Sequence, residues 1–190
     1  MNTPAHVAIN LVCLGRKDQL PVLIPVIIGA LLPDIFIFLF YFVEKAILGT
    51  PEVVIWREAY YQPAWQTIFA IFNSIPLILG GLAIAIWIRS RIGLLITASM
   101  GLHVLEDLPL HNDDAHRHFF PLSNWRFISP LSYWDPDHYG GVITILEILA
   151  VLVSCVVLNR VYTSWFGRGI IALIAVLYAL YFVYVFTVWV

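Results

Sequence analysis

Cysteine is scarce in this chain of 190 residues, with two copies, and charged residues make up only 12% of it. Cys13 and Cys155 each stand alone in an apolar stretch without CxxC spacing. That excludes a disulfide framework and a thiolate-based zinc knot, and the expectation is two buried free thiols. Excess charge of either sign is missing too. Ten Lys and Arg against twelve Asp and Glu give a net charge of −2, with a pI near 6.3, so no nucleic acid is expected as a partner. The start "MNTPAHVAIN" lacks the basic region of a signal peptide and is read as part of the mature fold. Internal repeats and low-complexity linkers are absent as well.

What is present is apolar. Hydrophobic residues make up 61% of the chain and the mean hydropathy is +0.89, too high for a water-soluble domain of this size. A hydrocarbon core of about 30 Å needs about 20 apolar residues per crossing. Stretches 21–43, 68–88, 92–110, 141–158 and 170–190 meet or approach that length. The expected fold is all-α: one membrane-embedded domain over residues 1–190, a polytopic bundle of about six helices, the first of them short.

Thr3 and Pro4 open the first helix, as cap and first helical residue, and "GRKDQLP" ends it. The second helix contains Pro25 and Pro33. A polar and aromatic connection, 49–66, precedes a third helix over 67–88; "RSR" at 89–91 turns the chain into a fourth over 92–110. A long loop, 111–140, leads to helices over 141–159 and from 170 onward. Arg16, Lys17, Arg89, Arg91, Arg160 and Arg168 fall at one side, and Lys45, Arg57, Arg117 and Arg126 at the other. The excess assigns the first side to the cytoplasm. The long loop then faces an extracytoplasmic space, across a bacterial inner or thylakoid-type membrane.

Ionisable groups in hydrocarbon cost about 2.5–3.5 kcal/mol each on insertion scales, so their positions matter. At about 1.5 Å rise per residue from the cytoplasmic end, His6 lies at about 15 Å, Glu147 and His103 at about 18 Å, and Asp34 at about 20 Å. Asn73 and Asp107 lie at about 24 Å. Three buried carboxylates and two imidazoles at one level, with hardly any buried Lys or Arg, call for cations.

The densest segment is "LHVLEDLPLHNDDAHRHFFPL", 102–122, with four of the six histidines. His103 and Asp107 are four residues apart, on one helical face, a spacing that suits one shared ion. His111 comes four residues later, Pro109 breaks the helix so that the chain turns over the site, and Asp113, Asp114, His116 and His118 follow. Imidazoles with carboxylates suit zinc, with manganese or iron as alternatives. Glu147 is either a direct ligand or a group that holds an imidazole from behind. The segment "SPLSYWDPDHYGG", 129–141, reads as an interfacial aromatic belt ending in a turn in preference to a cover for substrate. Arg117 and Arg126 can receive a lipid phosphate, although arginine is common at membrane interfaces.

Taken together, "TPAH", "GALLPDI", "HVLED" with its His/Asp-rich continuation, and "FFPL" resemble the LexA-regulated membrane-bound metal-dependent hydrolases, a family similar in motif order to zinc-dependent phospholipase C. The likeness covers the first two thirds of the chain. It implies metal-ligand positions at His6, Asp34, His103 and Asp107, with His111 or His116 next. It also implies a cluster of zinc ions and phosphoester hydrolysis. The sequence departs from the pattern where Asn73-Ser74 stands in place of a His-Ser pair, and where His138 and Glu147 lie too far apart for the late His-x3-Glu of phospholipase C.

The expected function is a membrane-embedded, metal-dependent hydrolase of a phosphoester, with membrane lipid as the candidate substrate. Two or more divalent ions, held by His6, Asp34, His103, Asp107, His111, Asp114 and His116, activate a water and polarise a phosphoryl oxygen. Asp34 or Asp114 serves as general base. Asn73 and Glu147 stand behind the ligands. Two other classes remain: a metal or proton transporter, which the lack of an inverted repeat disfavours, and a non-enzymatic membrane scaffold with a degraded site, which Asn73 favours.

Overall fold

The computed structural model describes residues 1–188. Every regular element among them is helical. The α-helices are α1 (Thr3–Leu14), α2 (Leu20–Phe42), α3 (Glu52–Arg57), α4 (Pro63–Phe72), α5 (Ile75–Trp87), α6 (Arg91–Asp107), α7 (Gly140–Val161) and α8 (Trp165–Val188). A π-helical turn, Val43–Ile47, extends α2. Four stretches are long and apolar enough to cross a membrane: Leu20–Ile47, Pro63–Trp87, Gly140–Val161 and Trp165–Val183. With large apolar side chains such as Phe38, Leu79, Ile145 and Leu173 pointing outward, these identify a membrane protein.

The expected six helices are too few. The third one is two helices, because Asn73 ends α4 and Ser74 caps α5, its Oγ accepting from the Leu77 amide while Pro76 fills an early helical position. The connection 49–66 is itself partly helical, and α4 begins at Pro63. The fourth helix stops at Asp107, ahead of the expected residue 110, where the Leu110 amide turns back onto the Asp107 carbonyl. The last one starts at Trp165, earlier than expected, because Asp18 meets its N-terminal end: the carboxylate accepts from the amides of Thr163 and Ser164 and from the Ser164 hydroxyl. Both cysteines are free, but neither is buried: Cys13 is exposed and Cys155 is half-buried.

The frame of the site is the pairing of α2 with α6, the most extensive helix contact in the molecule. The two run parallel: Ser99 Oγ donates to the Val26 carbonyl, and one turn further His103 Nδ1 meets the Ala30 carbonyl. Close approach is possible because Gly29 sits at the crossing, where a Cβ would come within 2.3 Å of the Ile96 carbonyl oxygen. α1 packs across this pair and is fixed by Asn10, whose amide donates to Ser99 Oγ at 2.8 Å and to the Ser99 carbonyl at 2.9 Å. Its apolar face joins a core with Leu11, Leu23, Val26, Val151 and Tyr162, and the Tyr162 hydroxyl donates to the Gly15 carbonyl.

A single methyl group at the crossing forces the two backbones apart. Gly29→Ala is expected to destabilise the protein by about 1–3 kcal/mol, read as a lower midpoint of thermal unfolding in detergent. Gly80→Ala, with open space around its Cβ, leaves that midpoint within the change of about 0.5 kcal/mol usual for such sites.

Candidate metal centre

One turn above the Gly29 crossing, the parallel α2 and α6 and the start of α1 bring His6, Asp34, His103 and Asp107 together. The His6 and His103 rings stack, with centroids 3.6 Å apart and planes 14° from parallel. His6 Nε2 lies 3.0 Å from Asp107 Oδ1, and His103 Nε2 lies 3.0 Å from Asp107 Oδ2 and 3.5 Å from Asp34 Oδ1. His111 arrives from just beyond the helix, its Nε2 3.3 Å from Asp107 Oδ1. The amino group of Met1 also reaches Asp107 Oδ1, at 2.5 Å. His6, His103 and Asp107 are all buried, with 0–1% exposure.

Two sets of potential ligands emerge, His6–His103–Asp107 and Asp107–His111–His116, each with its ligand atoms within 4.8 Å of one another. Asp107 belongs to both. A carboxylate shared in this way is suited to bridge two cations.

Three of the imidazoles are aimed by a hydrogen-bonding group on the far side, and a carboxylate lies close to a fourth. His6 Nδ1 is 2.6 Å from Glu106 Oε2, His103 Nδ1 is 2.8 Å from the Ala30 carbonyl, and His118 Nδ1 is 3.1 Å from the Asn73 carbonyl. His111 Nδ1 lies 2.9 Å from Asp114 Oδ2. A proton on Nδ1 leaves the Nε2 lone pair pointing inward, the tautomer of a metal-ligating histidine.

This arrangement can be tested for its fit to a metal. The Nε2 atoms of His6, His103 and His111 are buried without a hydrogen-bond partner, although carboxylate oxygens surround them. For His103 the neighbours of Nε2 are two acceptors, Asp34 and Asp107, so positive charge must lie between lone pairs that otherwise repel. Divalent ions, one in each ligand set, would satisfy these atoms, and the donor chemistry fits them.

The loop residues lie in the same field. Burial disfavours the charged form of His111, yet the Asp107 carboxylate and Asp114 outweigh it and raise its pKa to about 9. Burial holds His116 down at about 3, helped by the neighbouring His111 and His118. Burial also works against ionisation of Asp114, but the hydrogen bond and charge of His111 prevail and keep its pKa below the usual carboxylate range.

The remaining expected residues are placed as follows. Asp34 faces His103, and its Oδ2 accepts from Thr3 Oγ1 at 2.5 Å; it lies at the edge of the ligand sets, outside both. Asp114 is also outside them, turned to His111 and to Trp134 Nε1. Glu147 holds no imidazole: it accepts from the Asn2 side-chain amide at 2.7 Å and the Tyr178 hydroxyl at 2.8 Å, fixing the start of α1. Asn73 contributes its backbone carbonyl to His118, while its side chain caps α4 by donating to the Phe69 carbonyl. The segment 129–141 lies over the loop ligands, with the Tyr133 ring 5.1 Å from His111 and Trp134 on Asp114.

Glu106 and the Ala30 carbonyl were not anticipated from the sequence, and His118 was noted in the loop without a place among the expected ligands. Glu106 was visible as the acid beside Asp107, but its role depends on α1 approaching between the two. Comparison with protein-family models, curated proteins and solved structures finds no significant match to this chain.

Removing the carboxylate behind His6 tests the centre without touching a ligand. Glu106→Gln is expected to weaken zinc binding by about 10- to 100-fold, measured by competition with a chromophoric chelator in detergent, with unchanged helical content by circular dichroism.

Proposed function

We propose that the protein is a membrane-embedded, metal-dependent hydrolase that cleaves a phosphoester, with a membrane lipid as substrate and zinc as the metal. The observation that carries this reading is the convergence of three partnerless imidazole Nε2 atoms on the two oxygens of Asp107. The resemblance in motif order to membrane-bound metal-dependent hydrolases and zinc-dependent phospholipase C supports the choice of reaction. Divalent cations held there supply Lewis acidity toward a phosphoryl oxygen and a water acidic enough to give hydroxide near neutral pH.

The chain's own residues have separate tasks. His6, His103, His111, His116 and Asp107 hold the cations, and Asp107 serves both sets. Asp34 is positioned by Thr3 to accept a proton at Oδ1, the oxygen that faces the centre. Asp114 orients His111 and leaves the role of base to Asp34. Burial of the centre in an apolar bundle strengthens each electrostatic interaction and limits water. Asn73, which stands in place of an expected histidine, is consistent with a full ligand set because His116 completes the second group.

Two measurements on detergent-purified protein test the proposal. Elemental analysis is expected to find retained zinc in the wild type and at least one equivalent less in Asp107→Ala. Vesicles of mixed phospholipids are expected to release phosphate or headgroup with the wild type and at background rate with Asp107→Ala. Equal metal in both proteins refutes the site. Divalent-cation flux into sealed proteoliposomes without hydrolysis refutes the reaction in favour of transport.

A further inference from the structure

Arg117 comes directly after His116 and Arg126 nine residues further on, yet no carboxylate lies within ion-pair distance of either among the described residues. Neutral groups hold them instead. Arg117 donates to Thr67 Oγ1 at 3.1 Å and to Asn124 Oδ1 at 3.0 Å, and its guanidinium lies 5.2 Å above the Phe120 ring. Arg126 donates to Gln66 Oε1 at 2.9 Å and to the Ala115 carbonyl at 2.8 Å.

Gln66 and Thr67 are consecutive on α4, so the two like charges are tied to adjacent points of one helix. Arg117 Nε is buried without an acceptor. Two half-buried guanidiniums tied to neighbouring residues of α4, with an unspent N–H donor on Arg117 and no carboxylate partner, have the chemistry that binds a tetrahedral oxyanion.

Position narrows the ligand. The Ala115 carbonyl that holds Arg126 lies between Asp114 and His116, so the pair borders the metal centre. The same loop exposes Phe119, Leu122, Trp125 and Ile128, interleaved in sequence with the arginines, a composition suited to the interfacial zone of a bilayer. We propose that Arg117 and Arg126 form a phosphoryl-oxyanion site beside the metal centre, which receives the phosphate of a membrane lipid. The identity of that ligand rests on the phosphoester reading above, whereas the site itself rests on the arginine geometry.

The test uses full-length protein in detergent micelles, stripped of metal with a chelator, so that binding is read apart from turnover. Phosphatidic acid and inorganic phosphate are titrated separately by calorimetry against the wild type, Arg117→Gln/Arg126→Gln and Arg117→Lys/Arg126→Lys. The glutamine variant is expected to bind phosphatidic acid at least about tenfold more weakly, with the lysine variant between it and the wild type. Thermal unfolding checks that each variant is folded, and the lysine variant preserves the charge if the glutamine variant is not.

Arginine-dependent binding of inorganic phosphate as tight as that of phosphatidic acid supports the oxyanion site and assigns it to free phosphate. Equal binding by all three proteins, or none by the wild type, overturns it. If metal-loaded wild type hydrolyses no phospholipid but the stripped protein binds in an arginine-dependent way, the phosphoester reading fails and this site stands. Hydrolysis together with arginine-independent binding does the opposite: the phosphoester reading stands and the arginine site is overturned.

Discussion

A carboxylate shut inside a lipid-facing bundle must meet positive charge, and in this protein that requirement centres on Asp107. Its side chain is almost fully buried, and its two oxygens face imidazoles from α1, from α6 and from the loop that follows. The Met1 amino group reaches one of these oxygens, and the imidazole Nε2 atoms that crowd both have no hydrogen-bond partner. A divalent cation between the two kinds of donor would remove the conflict and draw ligands from separate parts of the chain to one point.

The helical frame meets that constraint from several directions. Parallel packing of α2 on α6 through Gly29 brings Asp34 and the Ala30 carbonyl to His103. α1 is too short to cross a membrane and lies within the bundle, where Asn10 fixes one end and Glu147 the other. The interruption between α4 and α5 has a matching purpose: it exposes the Asn73 carbonyl to His118 and lets the Ile75 amide meet the His118 carbonyl, so the ligand loop is anchored on both its sides. Helix breaks at membrane depth are tolerated when other groups satisfy the freed backbone, and here the loop supplies them.

Much of this was legible in the sequence. Apolar run lengths gave a helical membrane protein, and helix depth counting placed His6, Asp34, His103 and Asp107 at one level, where they do meet. The same counting failed for Glu147, because level says nothing about rotation: Glu147 points to Asn2 and Tyr178. Glu106 escaped because adjacency to Asp107 on a helix implies a different face, and only the approach of α1 makes that face useful. The partner of His103 is a backbone carbonyl, which no residue type announces. The split third helix was readable from Asn73-Ser74 followed by Pro76, a stop and start signal hidden by the apolar run around it.

The shared-carboxylate centre is tested most directly by anomalous diffraction from crystals of the zinc-loaded protein, recorded at wavelengths on both sides of the zinc edge. The expected result is two peaks about 3.5–4 Å apart, one on each side of the Asp107 carboxylate, with His6 and His103 nearest one and His111 and His116 nearest the other. Peaks confined to the exposed acids Asp113 and Asp137, or none within the bundle, would contradict it.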